Sequence, residues 1–163
     1  MAGPAIDEAR YRQVLGHFAT GVTVVTGQDD AGPAGLAVNS FTSVSLDPPL
    51  VAFSVGKKST TWPRIRATGR LTVNILSADQ ESVSRRFASS VAGADRFDGL
   101  GWHPSPAGSP VVDGALAWID ATVDAEHDAG DHVMVIARVS AMDVVHEGAP
   151  LVFYRGGYGR FES

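Results

Sequence analysis

The chain contains no cysteine. Disulfide staples, zinc–thiolate centres and cysteine nucleophiles are therefore excluded by composition. A basic surplus is also missing. Thirteen Lys and Arg stand against eighteen Asp and Glu, a formal net charge of −5, too few cations for the face that a phosphate backbone requires. Nucleic acid is not an expected partner, although a local basic pocket for one small phosphate is still allowed. No apolar run approaches the roughly 18 residues of a membrane span. Residues 1–11 carry Asp7, Glu8 and Arg10 and no apolar segment of the signal-peptide kind. The expectation is a soluble, cytoplasmic protein with no membrane partner. Of the histidines, His17, His103, His127, His132 and His146, no pair has the spacing of a helical metal motif, and no metal site is expected.

What is there reads as one globular domain, residues 1–163. Hydrophobic residues make up 44% and charged residues 19%, a composition that can bury a core. Residues 6–18 place Ala9, Tyr11, Val14, Leu15 and Phe18 at near-helical spacing behind Asp7, which predicts a short helix. Residues 22–26 form a β-branched run and predict a strand. Residues 28–33 read as a turn and 35–39 as the return strand of a hairpin. Residues 40–46 are a strand or an extended loop, ended by Asp47-Pro48-Pro49 because proline cannot donate to a ladder. Residues 50–55 predict a strand, and residues 62–67 a short helix with Pro63 in its first turn. Residues 71–76 predict a strand. Ser77 and Gln80, at capping-box spacing, open a helix to about Ala88.

Residues 93–114, rich in Gly, Pro, Ser and Asp, predict a long surface loop carrying Phe97, Leu100 and Trp102. Residues 115–125 alternate cleanly, residues 128–131 make a turn, and residues 133–145 form a second long strand. Residues 151–154 are the last expected strand. About seven strands joined by short turns, with three short helices, favour a mainly β, antiparallel barrel.

Four stretches could carry chemistry. Gly-Leu-Ala-Val-Asn-Ser-Phe-Thr-Ser-Val-Ser at 35–45 reads as a half-buried strand, or as a surface presenting backbone N–H groups, hydroxyls and an Asn amide to a planar heterocycle. Ser-Val-Gly-Lys-Lys-Ser-Thr-Thr at 54–61 reads as a solvated loop with an N-cap, or as a phosphate cradle at a helix start. Gly130-Asp131-His132 holds a structural or exposed histidine, or a site residue. Tyr154 with Gly156-Gly157-Tyr158-Gly159 offers a stacking surface, or a flexible tail.

Taken in order, these stretches resemble a known family. Phe18-Ala19-Thr20-Gly21-Val22-Thr23-Val24-Val25-Thr26 and Val38-Asn39-Ser40-Phe41-Thr42-Ser43-Val44-Ser45-Leu46-Asp47-Pro48-Pro49-Leu50 look like the flavin reductase-like family, the short NAD(P)H:flavin oxidoreductases of two-component monooxygenases. Ser59-Thr60-Thr61-Trp62, Asn74-Ile75-Leu76, Arg86-Phe87-Ala88, Asp95-Arg96-Phe97 and Gly130-Asp131-His132 continue the match, over roughly residues 11–158. The resemblance implies an antiparallel FMN-binding split β-barrel, a homodimer, FMN or FAD, and NADH or NADPH as hydride donor. A partner monooxygenase would receive the reduced flavin.

By the same resemblance, Ala37, Val38, Asn39, Ser40, Phe41 and Thr42 would line the isoalloxazine and ribityl chain. Ser54, Ser59 and Thr60 would hold the ribityl and phosphate end, with Lys57 or Arg85 as cation. Phe87, Arg96 and Phe97 would lie near the flavin or close over it. His132 would sit by the nicotinamide as an orienting or electrostatic residue, with Tyr154 and Tyr158 near the nicotinamide nucleotide. A homodimer would also bury Trp62, Phe97 and Trp102, placed on predicted loops and short helices, unless all three belong to the monomer's own core. The rival reading is a split-barrel protein that holds flavin, or another planar group such as haem, without turnover.

Overall fold

The computed structural model describes residues 3, 5–89 and 95–163. Gly93 and Ala94 of the expected loop, and Met1, Ala2 and Pro4, lie outside the described residues. Helix α1, Glu8–Leu15, starts where Asp7 accepts the Arg10 N–H at 2.7 Å, so the expected cap forms. None of its side chains is buried. A two-residue strand β1, Thr20–Gly21, precedes β2, Thr23–Asp29. β2 pairs in register with β3, Gly32–Val38, through a turn of Asp30 and Ala31, with Gly32 at φ +113°. β4, Thr42–Leu46, and β5, Pro49–Gly56, form a second hairpin. Pro49 pairs with Leu46 at the end of that hairpin, a strand start where a missing N–H does least harm.

Helix α2, Trp62–Thr68, has Pro63 in its first turn and ends at Gly69 in the left-handed conformation. β6, Arg70–Ile75, follows. Helix α3, Glu81–Ala88, begins later than the Ser77–Gln80 spacing predicts. Half of the capping box forms, since Gln80 Oε1 accepts the Ser77 N–H at 3.0 Å, but Gln80 Nε2 donates to the Asp113 carbonyl at 3.0 Å. That tertiary bond turns the box into a preceding turn.

The expected surface loop is corrected in part. It contains a small hairpin, β7, Trp102–Pro104, and β8, Pro110–Val112, and Val111 and Val112 are buried. The long strands β9, Ala117–Ala129, and β10, His132–Val144, are joined by Gly130 and Asp131 alone, a tighter turn than residues 128–131. After β11, Leu151–Tyr154, the glycine-rich tail folds back as β12, Gly157–Arg160. The strand count exceeds seven because the additional strands are short.

Seven strands make one antiparallel sheet in the order β3-β2-β6-β9-β10-β5-β4. The sheet rolls around Val25, Val38, Phe53, Leu71, Val73, Ile119 and Val135, while Trp62 and Ile65 of α2 plug one end. Among the described residues no ladder joins β3 to β4, so the barrel stays split. A second core, on the outer face, packs Val22, Val24 and Leu76 against Phe87, Phe97 and Leu151. β2 is thus covered on both faces, and its β-branched run shows no alternation. Trp62 and Phe97 belong to the monomer's own cores, and Trp102 packs edge-on to Phe97 at 6.1 Å. These three aromatics therefore give no argument for a second subunit. Among the described residues no helix is long and apolar enough to cross a membrane.

Gly35 marks the tightest point between β3 and α3. A Cβ there would lie 2.7 Å from Phe87 Cε1 and 3.4 Å from Phe97 Cζ. Gly35→Ala should destabilise by about 1–3 kcal/mol, the usual cost of overpacking. A thermal melt several degrees below the parent checks it, and an unchanged melt shows that Phe87 has room to move.

Candidate active site

β3 is an edge strand, so its outer side faces the split. Where β3 ends, the chain crosses to β4 through Asn39, Ser40 and Phe41. Ser40 fixes the crossing. Its hydroxyl accepts the Ser54 N–H at 2.9 Å and donates to the Ser54 carbonyl at 3.2 Å, extending the β4–β5 ladder with a side chain. Phe41 turns in to pack on the barrel core, while Asn39, Ser40 and Thr42 stay exposed.

Two hollows border this crossing, one at Asn39 and the other at Ser54, the hydrogen-bond partner of Ser40. The smaller, about 190 Å³, is lined by Ala37, Val38 and Asn39, by Phe153 and Tyr158, and by Ser84 and Ala88 of α3. The larger, about 850 Å³, lies between α1 and the outer face of the barrel. It holds Ser54 and His132 with Met134, Asp131 and Tyr11. Ser54 and His132 share a face because β5 and β10 pair in register, His132 opposite Gly56 and Met134 opposite Ser54. The Gly130–Asp131 turn delivers His132 to the first residue of β10. Its Nδ1 lies 2.7 Å from Asp131 Oδ1, and this contact holds the Asp131 carboxyl below the usual carboxylate range.

A third hollow, about 330 Å³, lies beside the start of β3. Gly35, Thr61, Arg64, Arg96 and Phe97 line it. The Arg96 guanidinium donates to Thr61 Oγ1 at 3.3 Å and to the Ser89 carbonyl, and its buried Nε finds no partner among the described residues. Arg64 is bound at both ends of its fork by Asp29, at 2.9 and 2.7 Å. The pair lowers the Asp29 carboxyl and raises the guanidinium. From the other side, Arg86 donates to the Asp98 carbonyl at 2.5 Å and holds the turn that carries Arg96 and Phe97. The Phe87 and Phe97 rings meet edge-to-face at 5.0 Å.

The loop 57–61 sits at the same end of the barrel as His132, because the Lys57 N–H donates to the Asp131 carbonyl at 2.9 Å. The N-cap position of α2, Thr61, makes no side-chain cap bond; instead Ser59 Oγ, two residues earlier, accepts the Trp62 N–H at 3.1 Å, and its hydroxyl proton is left to donate elsewhere. Thr60 is exposed. Each of the two alternative cations for the phosphate has an acidic partner. Lys57 Nζ pairs with Asp128 at 3.5 Å, whereas Arg85 pairs with Glu81 at 3.0 Å and lies over the Tyr158 ring at 4.9 Å. Tyr154 and Tyr158 are separated. Tyr158 packs edge-to-face with Phe153 and reaches Ser84 Oγ at 2.8 Å, while Tyr154 points from the other face of its sheet to His17.

Sequence reasoning missed Thr61, Arg64 and Ser84, and the roof that α1 places over His132. Ser84 had a legible signal, since it stands three and four residues before Phe87 and Ala88 on one face of a short helix. The roof had none, because α1 meets the barrel only through tertiary contacts.

The residues present fit a flat heterocycle with an anionic tail. The crossing supplies an Asn amide, hydroxyls and main-chain groups beside an edge strand, and the buried Arg96 Nε lacks an acceptor. The model for the flavin reductase like domain matches residues 15–162. A flavin reductase of Pseudomonas putida is 49% identical over 98% of this chain and 93% of its own length. The NADH FMN reductase SmoA of Agrobacterium fabrum is 43% identical over 93% of this chain and 84% of its own. Among solved structures, nitrilotriacetate monooxygenase component B of Mycobacterium thermoresistibile superposes with a TM-score of 0.91 at 47% identity, covering 96% of this chain and 87% of that one. With the split barrel, the Ser40–Ser54 crossing and His132 at its rim in place, the chain belongs to the flavin reductase-like family.

Proposed function

We propose that this chain is an NAD(P)H-dependent flavin reductase that moves hydride from NADH or NADPH to FMN or FAD, in the cytoplasm, and hands the reduced flavin to a partner monooxygenase. The observation that carries this reading is the 850 Å³ hollow in which His132 and Ser54 share one face of the β5–β10 pair, next to the crossing at Asn39 and Ser40. It has room for two stacked rings and lies on rigid strands. When bound, the flavin supplies the hydride acceptor.

The chain's own residues bind and orient. Asn39 and Ser40 present an amide and main-chain groups to the polar edge of the isoalloxazine. Ser59, Thr60 and Thr61, with Arg96, offer hydroxyls and an unpaired guanidinium N–H to the phosphate. His132, held by Asp131, orients the nicotinamide amide from the rim of the barrel. Such a transfer depends on contact and orientation more than on an acid–base pair, so a site with one histidine and no catalytic dyad is sufficient. The hollow is roofed by α1, whose Tyr11, Val14 and Leu15 are half exposed or more and whose end leads to exposed Phe18. These side chains offer an exposed apolar surface for a homodimer, and Leu46 on β4, 98% exposed, offers another.

The function is tested by anaerobic addition of NADH to the flavin-loaded protein. Bleaching of the flavin absorbance is expected, and a stable oxidised spectrum would reduce the protein to a flavin binder. The double change Ser59→Ala, Thr60→Ala should weaken FMN far more than riboflavin, by about 1–3 kcal/mol per hydroxyl. Equal loss for both ligands would place the phosphate elsewhere. His132→Ala should lower NADH efficiency roughly five- to thirtyfold, the loss of one aligned hydrogen bond, with flavin affinity nearly unchanged. Unchanged NADH kinetics would remove His132 from the site. Light scattering should give a dimer at micromolar concentration with flavin bound, and a monomer would sink the dimer.

A further inference from the structure

The outward faces of β2, β6 and β9 carry a polar island where a second apolar layer would be expected. Thr26, Thr72 and Asp120 stand in one cross-strand row, with Asn74 beside them, and all four side chains are fully buried. Three of them spend their hydrogen bonds on the main chain of the segment above. Thr26 Oγ1 donates to the Pro110 carbonyl at 2.6 Å. Asn74 Nδ2 donates to the same carbonyl at 3.2 Å, and Asn74 Oδ1 accepts the Val112 N–H at 2.8 Å. Asp120 Oδ2 accepts the Ala107 N–H at 3.0 Å, while its Oδ1 takes the Thr72 hydroxyl at 2.5 Å. An apolar row would cover this face equally well. Buried polar groups that are all satisfied instead fix one placement, because any slip of the segment leaves several of them unpaired.

That placement leads to the site by direct contact. Val112, held by Asn74, is the register partner of Trp102. Trp102 packs edge-on to Phe97 at 6.1 Å, and Phe97 packs on Phe87 at 5.0 Å. Phe97 and Arg96 form one wall of the 330 Å³ hollow beside Thr61. We propose that Asn74, supported by Thr26, is a positioning residue for flavin binding: it pins β8 and, through Trp102, seats Phe97 and Arg96 where the flavin phosphate is held. This rests on the reading of Arg96 as part of the phosphate site.

The test compares FMN and riboflavin affinity, NADH kinetics and melting temperature in Thr26→Val and Asn74→Leu, each with Arg96 intact and with Arg96→Ala. Thr26→Val keeps the shape and removes one donor, so it carries the test if Asn74→Leu does not fold. Each variant should bind FMN about fivefold more weakly, the weight of one hydrogen bond, with riboflavin affinity and the KM for NADH nearly unchanged. In the Arg96→Ala background the same changes should add no further loss of FMN. A lower melting temperature with an unaltered FMN-to-riboflavin ratio would overturn the inference and leave the island purely structural. Losses that add in full to that of Arg96→Ala would also overturn it. If Arg96→Ala alone leaves the ratio unaltered, the phosphate reading itself falls, and the inference with it.

Discussion

A sheet rolled into a barrel must either close or leave two edges, and each edge strand keeps a row of N–H and C=O groups that need partners. Among the described residues β3 and β4 do not meet in a ladder. Where the chain leaves β3, the side chain of Ser40 takes both main-chain groups of Ser54 on β5 and extends the β4–β5 ladder along the gap. Most of the arrangement follows from that opening. The crossing from β3 to β4 has to run along it, so Asn39, Ser40 and Thr42 are exposed there. β5, lying next to the crossing, is paired to β10 and brings His132 alongside. A closed barrel of the same strands would have no such margin, and its polar edge would be spent on itself.

The other half of the arrangement keeps this opening rigid. Trp62 and Ile65 fill one end of the barrel, and the Trp62 indole N–H finds Glu126 at 3.1 Å, so a large ring is buried without an unpaired donor. Arg64, clamped by Asp29, ties α2 to the β2–β3 turn. The outer core around Phe87 and Phe97 presses α3 onto β3 at Gly35. The strand that borders the opening is therefore held from within the barrel and from outside it.

The strands and turns were legible where the signal is local. The β-branched run of β2, the alternation of β9 and the proline that opens α2 depend on neighbours in sequence. The hairpins at Asp30-Ala31 and Gly130-Asp131 were legible as turns, though both are tighter than their composition suggests. What escaped was set at long range. The β7–β8 hairpin looks like a loop because its main chain is satisfied by Thr26, Asn74 and Asp120 from three distant strands. α3 starts late because Gln80 is drawn to Asp113. The candidate site reads in the sequence as an ordered set of small motifs, and the structure joins Ser40 to Ser54 and sets Ser54 on one face with His132. It sends Tyr154 and Tyr158 to opposite faces of the β11–β12 hairpin, and it ties the alternative cations Lys57 and Arg85 to Asp128 and Glu81, partners that local sequence does not specify.

Helix α1 is eight residues long, has no buried side chain, and is joined to the barrel near its C-terminal end by the Arg155 N–H to the Gly16 carbonyl at 2.9 Å and by His17 against Tyr154. A helix this short is marginal in water on its own, and its Asp7 cap and Glu8–Arg12 pair contribute only modestly. It is therefore among the least stable parts of the molecule, able to unwind and re-form while the strands beneath stay intact. One wall of the hollow over His132 is thus only as stable as this helix, whereas the other, with Ser54, His132 and Met134, stands on paired strands.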